Sequence, residues 1–567
     1  MEECIMATMN SKRGKVTMKK DTRKTVNHEG SVVHKLDTLE TLFSKVLGSF
    51  FGESTFYEKR TAESDFKEIQ RLISEIPDED IEYALKVARI GREYNMIQYP
   101  LAVLTACFND PRFKGENFLD EVTGRNKLQT YSDYIVRRGK DILDVMAMQM
   151  NVFGFEVTTK GRGKNKTTHR NQPLPMQLRK ALQFKLESFN EYQLSKALGE
   201  NKEVSMADCI KLLRPNPERS KVRSDFFKRV IEGDVEFGGS EETKQVQSEL
   251  AKSKNKNSKS TKADVKKSID TSTVMAIVKN LVALDKAGMF DDKEAVDSIV
   301  AKLTNKKEVQ KSRLLPFRFY SAYEEVSKLS NSAGKRRVMD ALVEALDLSI
   351  DNLQDIEGYS AILIDRSGSM GYPVSGASNV TADVVACMLG AICFKKGIAD
   401  VYVFANTCEQ VTDISRKSTV MDIMKTIMRH HVGGGTYLDV ALHTIKQNSK
   451  PGMYDNLIIL SDGDCYSSRG KSFSLITNSY YYGSGRRFNT DGELNALFEK
   501  KIIKKLYLDN LLGNEFTIAN TDDFRKNLIT GFSERVIDVI NVYSSIGTGA
   551  SDVRKVIDSI VETLPTR

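Results

Sequence analysis

The chain is 567 residues long, 40% hydrophobic and 28% charged, with a formal net charge of +8. That is material for two or three domains, each able to bury a core of its own, and the charge excess is too small for this length to name a partner. Seven cysteines, at 4, 107, 209, 387, 393, 408 and 465, form an odd, scattered set with no CxxC pair, which argues against a disulfide framework and structural zinc and for a reducing, intracellular setting. The longest apolar window, around Asp383 to Phe394, is too short to span a bilayer, so the expectation is a soluble cytoplasmic protein with no membrane association.

Residues 1–28 are polar and basic, carrying Lys12, Arg13, Lys15, Lys19 and Lys20 without periodicity, and are predicted to be a disordered tail. From there to residue 355 the pattern is helical. Leu36, Leu39, Leu42, Phe43, Val46 and Leu47 fall at helical spacing, and amphipathic stretches follow over 62–76, 80–92 and 100–109. Hardly any strand-like alternation precedes residue 355, so a solenoid of stacked helix pairs is predicted over 29–355. The segment from Thr159 to Asn171 carries Lys160, Arg162, Lys164, Lys166 and Arg170 with no acid among them. A second run, Lys252 to Lys267, has seven lysines against Asp264, inside a Lys/Ser/Asn-rich linker or inserted loop at 240–268. Such runs are either solvated loops or phosphate-binding arms that add salt-sensitive, sequence-independent affinity. Arg179, Lys180, Lys211 and Arg214 lie beside helical apolar positions, as a solvated face or as one wall of a groove for single-stranded nucleic acid. The chain has no Trp, so any base stacking falls to Tyr, Phe or Arg.

After Glu357 the rhythm changes to strand, loop, helix. Strands are predicted at 359–364, 400–405, 457–460, 504–508 and 515–518, with helices near 381–395, 419–429, 437–447 and 550–564, an alternation that makes a parallel sheet covered on both faces. The apolar run Tyr359–Ile364 stops at Asp365 and gives way to Ser367, Gly368 and Ser369, which reads as a buried strand spilling polar residues into a loop at its carboxyl end. Asp365, Ser367 and Ser369 are hard oxygen donors, suited to Mg²⁺ or Mn²⁺. Downstream, the flexible loop Gly433-Gly434-Gly435 can bring the Thr436 hydroxyl near the same ion, and the strand ending at Ser461 is followed by Asp462 and Asp464. This pattern resembles the metal-ion-dependent adhesion site of a von Willebrand factor A domain. The resemblance implies Ser367, Ser369 and Thr436 as direct ligands and Asp365 and Asp462 as ligands mostly through water; Asp464 is read as a loop acid. Tyr480, Tyr481 and Tyr482, between Ser467 and Arg487, are expected in a packed loop beside the metal face.

Several segments of the helical half are similar to the TROVE module of the Ro autoantigen family. They are Ser54-Thr55-Phe56-Tyr57, Leu178-Arg179-Lys180-Ala181, the stretch from Val204 to Pro217, Leu314-Leu315-Pro316-Phe317-Arg318, and Val338 to Ala345. Arg214 and Asn216 stand where that module has a His and a Lys, a change that keeps a phosphate-binding charge and puts a base-specific contact in doubt. The resemblance implies a multidomain chain: a HEAT-like α-helical ring over 29–355, closed by a doubly wound, Rossmann-like α/β domain of von Willebrand factor A type over 356–567. It further implies a monomeric ring, a basic hole for single-stranded RNA ends, and an outer face for small structured Y-type RNA in a ribonucleoprotein serving RNA quality control. An acidic protein partner such as an exoribonuclease would meet the metal site.

No nucleophile–base pair, no GxxxxGK[ST] and no HExxH can be found, and His430-His431 reads as a helix end. An ion ringed by hydroxyls stays electrophilic and grips a carboxylate or phosphate, which is binding and not catalysis. The expectation is therefore a non-enzymatic RNA-binding scaffold. The alternative is a metal-dependent protein–protein adhesion or assembly subunit with a helical spacer.

Overall fold

The structure is a computed structural model, and it describes residues 24–26, 32–48, 51, 60–94, 96–114, 118–120, 124–153, 156–160, 167–171, 174–198, 204–223, 225–235, 262–374, 380–465, 471–474, 479–482, 490–511, 516–519, 525–530, 536–545 and 552–565. Up to residue 352 it is built almost entirely of short helices, each specified locally. Ala62–Glu75 opens on Thr61, whose side chain accepts from the Ser64 amide while Ser64 reciprocates. It buries Phe66, Ile69, Leu72 and Ile73 on one face and stops where Ile76 turns extended ahead of Pro77. Successive helices stack: Thr38–Gly48 packs on Ala62–Glu75 and Glu82–Glu93, and Gln98–Asn109 packs on both of the latter. Near the end of this part, Ala333–Ser349 runs so close to its neighbour that a Cβ on Gly334 would lie 1.9 Å from the Phe290 carbonyl oxygen, so only glycine fits there.

Six strands then form one sheet: β1 (Tyr359–Asp365), β2 (Ile398–Phe404), β3 (Cys408–Val411), β4 (Asn456–Ser461), β5 (Lys505–Asn510) and β6 (Lys526–Thr530). Their spatial order is β6-β5-β4-β1-β2-β3, and every pairing is parallel except β2–β3. Residues 360–365 of β1 and all of β4 are buried, as both faces of a parallel sheet require. Ile362 and Ile364 point into the cluster that holds Ala382–Lys396 and Val420–Arg429, while Ala361 and Leu363 point into the cluster of Leu438–Asn448 and Thr490–Glu499. Chain order reverses between β1 and β4, the switch point where open α/β sheets hold ligands.

The helical part starts and finishes on this one α/β domain. At its beginning, Val32–Lys35 pairs antiparallel with Phe516–Thr517, and Thr38–Gly48 packs on β6. The last helix, Val553–Thr563, docks on Glu82–Glu93. There Asp558 accepts from the Tyr83 hydroxyl at 2.7 Å and from Lys86 Nζ at 2.6 Å, and Arg554 reaches Asp80 at 2.5 Å. At its other end, Asp347 of Ala333–Ser349 accepts from Lys395 Nζ at 2.8 Å and from the Val420 amide at 2.9 Å. The helices thus close a circuit through the α/β domain, and one apolar cluster runs from Leu39 through both parts to Ile560.

Five expectations need correction. Lys24–Val26, assigned to the disordered tail, is a strand paired with Val32–Lys35. In the basic segment 159–171, expected as a solvated loop or an arm, the described ends lie in Glu156–Lys160 and Thr167–Asn171, which pair antiparallel as strands rich in β-branched residues. Phe516–Thr517 joins the N-terminal strand, not the large sheet, whose edges are the unpredicted β3 and β6. Tyr480 to Tyr482 lie in strand Ser479–Tyr482, paired with Lys471–Ser474, and not in a loop. Helix Lys262–Thr271 begins inside the expected linker, where Val265 and Ile269 are buried one turn apart.

Candidate metal centre and nucleic-acid interface

At the end of β1 the Asp365 side chain is wholly buried. Its Oδ1 accepts from the Ser367 amide at 2.8 Å and its Oδ2 from the Ser461 hydroxyl at 2.5 Å. The single turn Gly368–Gly371 then sets the Ser367 and Ser369 hydroxyls 3.2 Å apart. A second loop is drawn in by the Gly368 amide, which donates to the Gly434 carbonyl at 2.9 Å. Asn406, just past β2, holds that loop through its Oδ1, which accepts from the Gly435 amide at 2.7 Å. Gly433 has φ +94°, and a Cβ there would lie 2.6 Å from the Asn406 amide carbon, so the position demands glycine. Thr436 follows, buried. At the end of β4, Asp462 is buried and its Oδ1 accepts from the Asp464 amide at 3.0 Å. Asp464, in the same loop, is itself fully buried.

Burial pushes the Asp365 carboxyl up to about 7, and the facing charge of Asp462 adds to the rise. Two buried acids that repel each other among hydroxyls are a donor set that a hard divalent cation satisfies, since its charge removes the repulsion. Among the described residues no group of three or more His, Cys, Asp or Glu could hold a metal, so a zinc-like or multi-carboxylate centre has no counterpart there. Asp365, Ser367, Ser369 and Asp462 come together at the switch point, and the Gly368–Gly434 bond ties in the loop carrying Thr436. Sequence reasoning missed Ser461 and Asn406. Each sits at or just past a strand's carboxyl end, which is the one signal that could have found them.

Of the basic candidates, Lys180 is exposed and Arg179 half-buried on helix Met176–Ser188, with the Arg179 Nε sealed from water. Lys211 is exposed on Met206–Leu213, a helix that packs on the first and is capped by the reciprocal Ser205–Asp208 pair. Arg214 ends it in the left-handed conformation (φ 52°), with its side chain exposed and its carbonyl accepting from Gln183 Nε2 at 3.1 Å. These four residues therefore belong to two adjoining helices. Lys160 and Arg170 lie on the paired strands Glu156–Lys160 and Thr167–Asn171, whereas Arg162, Lys164 and Lys166 fall outside the described residues. No described helix is long and apolar enough to cross a membrane.

A helical circuit closed by a doubly wound α/β domain, with a hydroxyl-rich loop cluster at the switch point, defines the class of fold. Residues 266–366 match the family model of the TROVE domain. In fold the chain is similar to the RO (RSR) protein of Deinococcus radiodurans, at a TM-score of 0.54 and 17% identity, over 89% of this chain and 99% of that one. The TROVE match and this shared fold bear out the resemblance to the Ro autoantigen family. The matched segment contains Leu314–Arg318 and Val338–Ala345 and ends one residue beyond Asp365. Proximal thread matrix protein 1 of the mussel byssus (TM-score 0.20, 14% identity, 37% of this chain and 51% of that one) and the PilB minor pilin of Streptococcus sanguinis (0.21, 14%, 38% and 64%) overlap too little to support any conclusion. Among curated proteins none matches the chain.

Proposed function

We propose that this protein is a non-catalytic, cytoplasmic RNA-binding scaffold of the Ro type, working as a monomeric ring. It binds small structured, Y-like RNAs on its outer face and the single-stranded 3′ ends of misfolded RNAs at the ring, in RNA quality control. The observation that carries this reading is the TROVE match set within a Ro-like fold that extends over nearly the whole chain. Adjoining helices with exposed Lys180, Lys211 and Arg214 supply positive charge for the RNA backbone. When bound, Mg²⁺ or Mn²⁺ would supply an open coordination position that accepts an acidic group of a protein partner. Ser367, Ser369 and Thr436 would hold it directly, with Asp365 and Asp462 behind them. An exoribonuclease is the partner such a role suggests. Crosslinking the protein in its host and sequencing the RNA recovered with it tests the reading: a few structured small RNAs together with heterogeneous 3′-extended fragments are expected. Recovery no greater than from a variant lacking the basic helix residues would reject it in favour of a metal-dependent adhesion subunit.

A further inference from the structure

Helix Met176–Ser188 buries Leu178, Ala181, Leu182, Lys185 and Leu186, so the opposite side of the helix should be polar. It is not. Met176 is 60% exposed and Phe184 45%, with the exposed Lys180 between them at i, i+4 and i+8. One exposed apolar residue is ordinary, but of the eight large hydrophobic side chains exposed on the described surface, Met176, Phe184 and Tyr192 fall within seventeen positions. Cations attend both rings. The Arg125 guanidinium lies 4.8 Å from the centre of Phe184, and Lys196 Nζ lies 4.1 Å from that of Tyr192. Nearby acids are engaged by other partners: Glu187 is buried and accepts from the Asn216 amide at 2.7 Å, Asp133 faces Arg125 and Lys185, and Glu191 accepts from Arg223 Nε at 2.9 Å. What remains outside is apolar surface edged with positive charge.

We propose that the stripe Met176–Lys180–Phe184 is a stacking platform for unpaired RNA bases. Phe184 is the principal ring, and Arg125, Lys180 and Arg214 take the flanking phosphates. The proposal rests on the RNA-binding reading and specifies where bases, not only phosphates, are gripped. Its selectivity follows from helix geometry. Met176 and Phe184 are separated by eight residues, about 12 Å along the axis, against about 3.4 Å between stacked nucleotides of one strand. Neighbouring bases that reach both must be splayed apart, which a single strand permits and a duplex does not. Stacking tolerates any base, so the platform selects strandedness and not sequence.

The absence of Trp from the natural chain makes the test direct. In Phe184→Trp the new indole is the sole one, and its emission reports this position alone. Titration with a uridine-rich single-stranded oligonucleotide is expected to quench it, and a blunt duplex of equal length is not. By fluorescence anisotropy, Phe184→Ala and Phe184→Leu should each weaken single-strand binding by about 5- to 150-fold, the range for a lost base–aromatic stack. Neither should alter the salt dependence, whereas Lys180→Ala should lower the log–log slope by about 0.7. Wild-type affinity in Phe184→Ala, together with indole emission that stays unquenched in Phe184→Trp, overturns the platform and leaves RNA binding standing. Failure of the unmodified protein to bind any RNA overturns both.

Discussion

Asp365 and Asp509 are both buried acids on the same sheet, and their surroundings give them different consequences. Asp365 has hydroxyl and amide donors and a second acid opposite, an arrangement that the proposed cation would complete. With its carboxyl pushed up to about 7, a bound proton competes with metal below that pH, so affinity should climb as pH rises from about 6 to about 8. Calorimetric titration with Mn²⁺ should show this climb for the natural protein and no binding for Asp365→Ala of unchanged circular dichroism. Equal binding by the two would remove the metal assignment. Asp509 sits on β5 between Leu460 of β4 and Ile529 of β6, 2% exposed, and neither carboxyl oxygen has a hydrogen-bond partner among the described residues. Burial alone raises it well above the ordinary carboxylate range. The folded state therefore keeps a proton that the unfolded state releases above about pH 4. Stability is greatest at acid pH on this account and declines as pH rises, by at most about 1.4 kcal/mol per unit, until the folded-state value is passed. Asp509→Asn, neutral at every pH, should flatten that decline: melting temperatures measured at pH 5 and pH 8 should converge relative to the natural protein.

At the scale of elements, charge and burial divide what could be read in advance from what could not. Strands β1 and β4 were legible because a strand buried on both faces needs a run of consecutive apolar residues, and a loop at its carboxyl end needs polar ones directly after. By contrast β3 and β6 lie at the sheet's edges, carry Glu409, Gln410, Lys526 and Asn527, and show no such run. The paired strands 156–160 and 167–171 were hidden by the lysines and arginines between and within them. Within the metal cluster, Asp365, Ser367 and Ser369 stand close together in sequence and so announced themselves. Ser461 and Asn406 act only once three strands have been laid side by side. Phe184 was illegible for the opposite reason, since apolar residues on a helix read as core until its packing shows which side faces out. The two adjoining basic helices carry a prediction at this scale. RNA affinity should fall steeply with salt, and the variant with Arg179, Lys180, Lys211 and Arg214 all changed to Ala should lose about 0.7 to 0.9 of log–log slope for each phosphate contact removed. An unchanged slope would place the RNA on another face.

For the whole molecule, the proposed function assigns RNA to the circuit of helices and a protein partner to the loop cluster at the switch point. A structured RNA with a single-stranded 3′ overhang should bind more tightly than its blunt counterpart, and the difference should persist in EDTA, because in the proposed function the cation would serve a separate partner. Electrophoretic mobility shifts check both statements; binding abolished by EDTA would favour the adhesion reading. Closure draws on the polar contacts of Asp558 with Tyr83 and Lys86. Asp558→Ala should cost about 1 kcal/mol, since the carboxylate is 40% exposed and partly screened, and denaturant titration of the double variant with Tyr83→Phe should show a loss smaller than the sum of the two single losses, because both remove the same bond. Across this closure the paired residues are 474 and 475 positions apart. On a ribosome adding about 5–20 residues per second, Asp80 and Tyr83 emerge roughly 25 to 95 seconds before Arg554 and Asp558 exist to meet them. Throughout that interval the face of Glu82–Glu93 that the last helix will cover stays open to water and to chaperones. Glu82–Glu93 is thus sealed only long after it is made, and an error in the far later segment that carries Arg554 and Asp558 is felt at a helix whose Tyr83 lies 475 positions before Asp558.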